Sequence, residues 1–338
     1  MKKILHINLN NKKVKTVHQY DECKINLNGD NLVFEAPPLA GYGVVGLNRL
    51  SVYNKTSLSQ SGSHFAHFMK CNGYDYLIFE DKSDYPVYVY IDKENISIKE
   101  ATHIYNEDYE SIHTSLKKEL ENDKIEIATV GMAGINNVDF AKIIFRNNKS
   151  CGKDGLGKLM ATKNLKAIVL KNQENLMPHD NDKFKKYNQL IAQRIINNNK
   201  IDWYDENNSC YGCCLNCKNT AIDKIQSYGF NLEEAKNINK WSDFYGMDSV
   251  TLAQGIDTYK KTFDTEIIDL NYFIQNIINN YDYYRPLFIK ENTKIKKKKN
   301  SDSGEKLGFC KILLQKNILS EKEKKILVKC ILGLNIAI

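Results

Sequence analysis

Three closely spaced cysteines and one distant cysteine constrain the fold of this chain more than any other feature. Cys210, Cys213 and Cys217 follow the spacing C-x2-C-x3-C, and Cys310 lies far downstream in Leu-Gly-Phe-Cys-Lys. Three thiolates at this spacing can converge from one loop onto a cubane face, and a remote cysteine can complete a [4Fe–4S] ligand set. The pattern therefore predicts that two distant segments meet in space, and it indicates electron transfer.

A structural zinc site is the competing interpretation, because C-x2-C with two further ligands also makes a closed tetrahedral site. Zinc ribbons usually present two C-x2-C pairs, whereas here the third ligand follows at x3 and the fourth is remote. The spacing favours the cluster. Cys214 lies inside the triplet with poorer spacing. The other cysteines have no ligand-spaced neighbours and are predicted to be buried thiols: Cys23, Cys71, Cys151 and Cys330.

Length and composition bound the class of protein. The 338 residues, 42% of them hydrophobic, suffice for two domains with real cores. No apolar run reaches the ~18–20 residues that span a bilayer, and no signal-peptide pattern is evident, so we expect a soluble cytoplasmic protein with no membrane partner. Nine cysteines then favour thiols and metal ligation over disulfides. The basic run 294–299 lacks interleaved aromatics and is expected to be a solvated face rather than a nucleic-acid site.

The apolar pattern changes near residue 172. Before it, alternation predicts mostly strands; after it, apolar residues recur at helical spacing. This predicts an α+β fold, with a β-rich domain at 1–172 and a mainly helical region at 173–338. The predicted strands are Lys3–Leu9, Val14–Val17, Leu32–Phe34, Tyr76–Glu80, Val87–Ile91, Ile96–Ile98, Ile125–Val130 and Leu165–Leu170. The predicted helices are His64–Asn72, Tyr109–Glu121, Phe184–Ile196, Glu233–Phe244, Ser249–Phe263, Leu270–Ile278, Phe309–Leu314 and Glu321–Leu332.

Two glycine-rich segments are candidates for anion binding. In Cys151-Gly-Lys-Asp-Gly-Leu-Gly157, three glycines let backbone amides approach an anion, and Lys153 adds positive charge. This is not a Walker A loop, because it lacks the Gly-Lys-Ser/Thr ending and a strand is expected to follow. The segment Gly41–Arg49, with Ser57–Gly62 just beyond, offers Arg49 as a bidentate phosphate ligand. Taken singly, each segment is more typical of a simple turn.

Together and in this order, these motifs resemble the tungsten-containing aldehyde:ferredoxin oxidoreductase family. The cysteine segments fall where that family places its cluster ligands. The resemblance covers most of the chain, and the order of the motifs is far more specific than any single one. The similar segments are Lys3–Asn10, Phe34–Arg49, Gly73–Glu80, Pro86–Ile91, Gly131–Asn136, Gly152–Ala167 and Gly246–Val250.

The resemblance implies a β-rich pterin-binding domain that forms the base for a tungsten or molybdenum bis-pterin, covered by a helical region. The implied reaction is oxidation of a small aldehyde to a carboxylic acid, with electrons passing through a [4Fe–4S] cluster to ferredoxin. A homodimer is typical of the family, and the oligomeric state stays open. The implied cluster ligands are Cys210, Cys213, Cys217 and Cys310, and the implied pterin-binding residues are Arg49, Gln60, Gly62, Gly152, Lys153, Gly155 and Gly157.

Departures from the family pattern keep a second hypothesis open. Lys153 replaces an arginine and Gln60 replaces an asparagine of the family's cofactor loops. The family's Pro-Glu-Tyr-Glu-Thr carboxylate segment, its Asp-Pro-Arg-Gly pterin loop and its active-site histidine segment are not found, so no catalytic residue is assigned. The alternative is a non-catalytic iron–sulfur electron-transfer or assembly partner that has lost the substrate site, with its pterin incomplete or lost. A degenerate remnant of the family is the third hypothesis.

Overall fold

Strands dominate the chain as far as residue 171. The structure is a computed structural model that describes residues 1–19, 30–152, 154–198, 210–213, 220–288, 307, 309–310 and 318–333. The strands form two mixed six-stranded sheets. They are β1 (Lys2–Asn8), β2 (Val14–Gln19), β3 (Leu32–Glu35), β4 (Arg49–Tyr53), β5 (Leu58–Gly62), β6 (Tyr76–Glu80), β7 (Val87–Asp92), β8 (Asn95–Glu100), β9 (Ile125–Val130), β10 (Ile143–Phe145), β11 (Lys149–Cys151) and β12 (Leu165–Lys171).

The order of the strands brings one edge of each sheet together. The first sheet runs β2-β1-β6-β3-β4-β5 and the second β11-β10-β9-β12-β7-β8. Within these sheets β1 pairs with β6 and β7 with β12 in parallel, and the other pairings are antiparallel. The edge strands β5 and β11 lie against each other. This junction of the two sheets is where the glycine-rich segments meet.

Helices interrupt the strands and make up most of the rest of the described chain. Those of the C-terminal half begin with clear signals: α7 and α11 each carry a capping box, at Asn231 and Ser320. In the part of the chain that is described, no helix combines the length and apolar character needed to cross a membrane. The helices are α1 (Phe65–Cys71), α2 (Tyr109–Glu119), α3 (Met132–Ile135), α4 (Leu156–Thr162), α5 (Asn181–Asn198), α6 (Thr220–Gln226), α7 (Leu232–Tyr245), α8 (Ser249–Phe263), α9 (Leu270–Asn279), α10 (Tyr281–Tyr284) and α11 (Glu321–Leu332).

Separate apolar clusters hold these elements together. Both sheets and α1 share the largest cluster, in which Phe34, Phe65 and Ile168 are fully buried. Helix α2 covers the outer face of the second sheet. Helices α6 to α10 pack together around the connection at Phe140 and Ala141. Burial of apolar surface at roughly 25 cal/mol per Å² is the main stabilising term in each cluster.

One further cluster determines the position of the cysteines. Helices α5 and α11 pack onto the loop between β3 and β4, with Val44, Leu47 and Leu327 buried between them. Cys213 is buried in the same cluster, and Cys210 and Cys310 pack against it. The loop therefore lies between the β-rich and the helical parts of the described chain, next to the predicted cluster ligands.

The predicted α+β class is confirmed, and most predicted elements are present. Strands β4, β5, β10 and β11 were not predicted: β5 is rich in serine, β10 and β11 have three residues each, and β4 was overlooked although its buried residues alternate. The expectation of a strand directly after the 151–157 loop was wrong, since α4 comes first. Phe309 and Cys310 are not helical, and the rest of the predicted Phe309–Leu314 helix lies outside the described residues. The domain boundary at 172 stays a prediction.

Candidate functional site

Strands β4 and β5 carry three of the predicted pterin-binding residues side by side. Arg49 is opposite Gly62 in the antiparallel register. The Arg49 Nε donates a hydrogen bond to Gln60 Oε1 at 3.1 Å, and Gln60 Nε2 donates to Ser51 Oγ at 3.2 Å. The half-buried guanidinium is thus held in one orientation at the sheet edge. An oriented guanidinium is suited to bidentate recognition of a phosphate.

The glycine-rich loop lies against β5 at the junction of the sheets. Gly152 and Gly155 have φ values of +102° and +88°, which side chains rarely adopt. The Gly152 N–H donates to Ser59 Oγ at 2.9 Å, and Ser57 Oγ donates to the Asp154 carbonyl at 3.3 Å. These bonds tie the loop to the strand that carries Gln60 and Gly62. Lys153 lies outside the described residues.

Gly157 has a packing explanation of its own. A Cβ at this position would lie 2.5 Å from the carbonyl carbon of Lys142, and the Gly157 N–H donates to the Ala141 carbonyl at 3.1 Å. Only glycine lets α4 approach the 141–142 backbone so closely. The structure therefore accounts for Gly157 without a ligand, and a cofactor role for it stays a prediction.

The first cysteine segment forms a tight turn over the end of β5. The Cys213 N–H donates to the Cys210 carbonyl at 3.0 Å, and Gly212 supplies the φ of +63° that the turn requires. Cys210 Sγ lies so close to Gly62 that a Cβ there would be 2.6 Å from the sulfur. Gly62 thus makes room for Cys210. Cys214 and Cys217 lie outside the described residues.

The loop between β3 and β4 contacts both cysteine segments. The Cys310 N–H donates to the Gly46 carbonyl at 2.8 Å. Two residues further on, Asn48 Nδ2 donates to the Tyr211 carbonyl at 3.1 Å. The two segments that carry the distant cysteines therefore contact the same short stretch of chain immediately before Arg49, one through the Gly46 carbonyl and the other through the Asn48 side chain.

The complete ligand set stays a prediction. Across the described ranges, no three or more His, Cys, Asp or Glu side chains are grouped so that they could hold a metal ion. One of the four predicted ligands, Cys217, is outside those ranges. Cys71, Cys151 and Cys330 are buried as predicted, and burial raises the pKa of the Cys71 thiol to about 11. Cys23 lies outside the described residues.

Three buried polar atoms around the cysteine turn support a cofactor at this place. Asn48 Oδ1, Ser63 Oγ and His67 Nδ1 have no hydrogen-bond partner among the described residues. Asn48 and His67 both contact Tyr211, and Ser63 follows Gly62. Buried polar groups without partners are uncommon and costly, so three of them around one turn that carries thiols suggest an additional group there. Thiols at C-x2-C, a glycine that accommodates one of them and an oriented arginine match the donor chemistry of an iron–sulfur cluster beside an anionic cofactor.

The sequence analysis missed the side chains that support the turn. The Tyr211 ring stacks on His67, with ring centroids 3.5 Å apart. Asn175 Oδ1 contacts both of these side chains. The position of Tyr211 between two predicted ligands was an available signal. His67 and Asn175 gave none, because a lone histidine on a helix and an asparagine in a polar connection are ordinary features.

A large surface depression lies away from the junction of the sheets. It is open, has a volume of about 960 Å³, and lies between β8 and α2, where Lys99, His103 and Glu119 line it. Lys99 and His103 both form ion pairs with Glu119. None of the predicted site residues contributes to it, so its size alone does not identify it as the functional site.

The β-rich part of the chain carries a known type of domain. The sequence profile of the aldehyde ferredoxin oxidoreductase N-terminal domain matches residues 16–172. The tungsten-containing aldehyde ferredoxin oxidoreductase of Pyrococcus furiosus is 32% identical over 179 residues, which are 51% of this chain and 29% of that protein. The enzyme of the same name from Pyrococcus horikoshii is 25% identical over 307 residues, with 71% of this chain and 51% of that protein covered.

Residues 16–172 therefore match the N-terminal domain of the aldehyde ferredoxin oxidoreductase family, and the chain is similar to these enzymes as a shortened, divergent relative. It spans about half the length, or less, of the curated relatives it matches. Its fold is similar to the active site complex BamBC of benzoyl coenzyme A reductase, solved with 1,5-dienoyl-CoA. That similarity has a TM-score of 0.71 over 85% of this chain and 61% of the other, at 19% identity.

Proposed function

We propose that this chain is an oxidoreductase that oxidises an aldehyde to its carboxylic acid and passes the electrons to ferredoxin. The proposal rests on one observation above all: the Gly46 carbonyl and the Asn48 side chain contact the two cysteine segments, and the chain then leads directly into Arg49. In the overall reaction, an aldehyde and water give an acid, two protons and two electrons. The similarity to these enzymes supports the general class of reaction.

The residues present match the two groups that this reaction needs. Cys210, Cys213, Cys217 and Cys310 would hold a [4Fe–4S] cluster. Arg49, Gln60, Gly62 and the 152–157 loop, including Lys153, would hold a tungsten or molybdenum bis-pterin. When bound, these groups would supply the two-electron oxidation of the substrate and the one-electron transfers to ferredoxin.

The chain's own contribution is orientation and close approach. Gln60 fixes the Arg49 guanidinium, which would bind a pterin phosphate. The Ser59 hydroxyl fixes the first turn of the glycine-rich loop, whose backbone amides would approach the same anion. Gly62 lets the Cys210 sulfur reach the sheet edge, so the cluster and the pterin would lie at the same edge.

A second candidate is a non-catalytic iron–sulfur electron-transfer or assembly partner. The absence of the family's carboxylate and histidine segments from the sequence favours it, because substrate oxidation needs acid–base groups beside the metal. This candidate keeps the cluster and has lost the substrate site. Ferredoxin remains the proposed electron partner in both cases, with a cytoplasmic location, no nucleic-acid partner and a homodimer as the proposed assembly.

Metal analysis of the full chain, produced without oxygen in a host supplied with tungstate and molybdate, separates these functions. About four irons per chain with tungsten or molybdenum, and aldehyde-dependent reduction of ferredoxin, support the oxidoreductase. Iron without tungsten or molybdenum supports the electron-transfer or assembly partner. One zinc per chain without iron would overturn both.

A further inference from the structure

The aromatic ring of Tyr211 connects the cysteine turn to helix α1. Tyr211 lies directly after Cys210, and its ring is nearly parallel to that of His67, at 16° and 3.5 Å between centroids. His67 is fully buried on α1. Phe68 and His64 contact the edges of the same tyrosine ring. The turn is thus anchored by an aromatic side chain, in addition to the hydrogen bond that its Tyr211 carbonyl accepts from the Asn48 side chain.

Asn175 fixes both stacked rings with one oxygen atom. Its Oδ1 accepts hydrogen bonds from His67 Nε2 at 3.0 Å and from the Tyr211 hydroxyl at 3.2 Å. Burial lowers the pKa of His67 to about 4, so the imidazole is neutral and carries its single proton on Nε2. Within the described part of the chain, the other ring nitrogen has no partner.

Asn175 also connects this stack to the loop that contacts Cys310. Its amide nitrogen is 3.3 Å from where a Cβ of Gly43 would be. The next residue, Leu176, donates its N–H to the Gly41 carbonyl at 2.9 Å. The connection between β12 and α5 therefore contacts both the start of the 41–48 loop and the cysteine turn.

We propose that Tyr211, His67 and Asn175 are positioning residues that hold the cysteine turn in its ligand-binding shape before any metal arrives. The inference rests on the proposed function, since it assigns these residues to the cluster site. Preorganised ligands reduce the ordering cost of binding. Removal of the tyrosine ring would let the turn open and make the sulfurs of Cys210 and Cys213 more accessible.

Thiol alkylation of the metal-free full-length protein tests this without depending on a bound cluster. Reduced protein is treated with iodoacetamide, and the rate at each cysteine is followed by peptide mass spectrometry. Tyr211→Ala should raise the rates at Cys210 and Cys213 about tenfold, which is the effect of losing one stacked aromatic pair. Tyr211→Phe keeps the ring and loses only one hydrogen bond, so an increase of about threefold is expected. The matched control is Tyr283→Ala, at an exposed tyrosine of α10.

Cys330, buried on α11, serves as an internal reference for global unfolding. Unchanged rates at Cys210 and Cys213 in Tyr211→Ala would overturn the proposal, and so would equal effects of the Phe and Ala variants. If Tyr211→Ala also raises the alkylation rate at Cys330, the Asn175→Leu variant is measured as well. Asn175→Leu should raise the alkylation rates at Cys210 and Cys213 but not at Cys330. Unchanged rates at Cys210 and Cys213 in Asn175→Leu would contradict the proposal. The iron content of wild-type protein, measured separately, tests the proposed function. A failure of the positioning role is therefore distinguishable from a failure of the proposed function.

Discussion

The junction of β5 and β11 and the α2-covered face of the second sheet both bury polar side chains, but their surroundings differ. At the junction, Asn48, Ser63 and His67 surround a turn that presents thiols. On the covered face, Glu126 is fully buried and lies 3.2 Å from Arg146 Nε. Tyr109 and His113 of α2 adjoin this pair.

The two regions differ in chemistry as well as in contacts. Burial raises the pKa of Glu126 to about 8 even though Arg146 opposes the shift, and burial lowers the pKa of His113 to about 4. Burial thus disfavours the charged forms of both side chains, and buried atoms of Glu126 and His113 also lack a hydrogen-bond partner among the described residues. At the junction, the polar atoms adjoin neutral glycines and cysteines. Buried polar atoms indicate a cofactor site only where metal-ligating side chains and room for a ligand accompany them.

Of all the changes considered, replacement of a predicted cluster ligand should cause the largest loss of iron, and it should alter only the junction. Cys213→Ser removes a thiolate from the C-x2-C pair, so we expect complete loss of the iron and of the visible absorption of the cluster. The measurement is iron content and the absorption spectrum of protein prepared without oxygen. Cys330→Ser, at another buried thiol, should retain both. An unchanged spectrum in Cys213→Ser would remove this residue from the ligand set.

A methyl group at Gly62 should destabilise the junction through a single close contact with the Cys210 sulfur. Gly62→Ala places a Cβ 2.6 Å from Cys210 Sγ, and overpacking of this kind costs roughly 1–3 kcal/mol of unfolding free energy. Iron content should fall as well, because the turn must move. Gly134→Ala is the matched control, since its Cβ would be 3.1 Å from the Gly157 carbonyl. It should lower stability while iron content stays constant; equal iron losses in both variants would contradict the role given to Gly62.

The covered face should respond to pH. Glu126 has a folded-state pKa of about 8 against an ordinary value of 4.5, so the folded protein retains a proton that the unfolded chain releases. The stability that this group contributes is present below pH 4.5 and is lost as the pH rises through 8, by up to about 1.4 kcal/mol per unit. Glu126→Gln, which mimics the neutral acid, should show no such loss.

Denaturant unfolding of both proteins measures the difference. Between pH 6.5 and 8, wild-type stability should fall relative to Glu126→Gln by about 2 kcal/mol, because the titration of His113 is shared by both proteins and drops out of the difference. Parallel pH profiles of the two proteins would show that Glu126 does not retain its proton. Iron content should be the same in both, because the covered face does not take part in the proposed site.

The smallest change in unfolding free energy is expected from a substitution at the start of a helix that lies outside both regions. Asn231→Ala removes the side chain that accepts from Glu234 N–H in the capping box of α7. Loss of such a cap costs about 1 kcal/mol of unfolding free energy. Iron content should not change, which separates general destabilisation from damage to the junction. Iron loss equal to that of Gly62→Ala would show that the site responds to stability alone.

Individual strands and motifs show how much of the fold and of the candidate site could be predicted from the sequence. Strands β1, β6, β9 and β12 were predictable because their buried residues alternate or run continuously. The cysteine spacing indicated the type of site, and the glycine-rich segments indicated its neighbours. Strand β5 was missed because serine and glutamine make it look like a loop, and β4 was missed although Leu50 and Val52 alternate as in a strand. The pairing of these two strands orients Arg49.

The sequence by itself determined the chemistry that is available: thiols at ligand spacing, glycines at turns, and the alternation that makes strands. These properties are local, because spacing and periodicity act between residues a few positions apart. Only the tertiary structure decided that Gly46 and Asn48 contact both cysteine segments, and that Asn175 fixes the Tyr211 ring. Those contacts join residues far apart in the chain, and they depend on which surfaces of the sheets, helices and loops can be buried together.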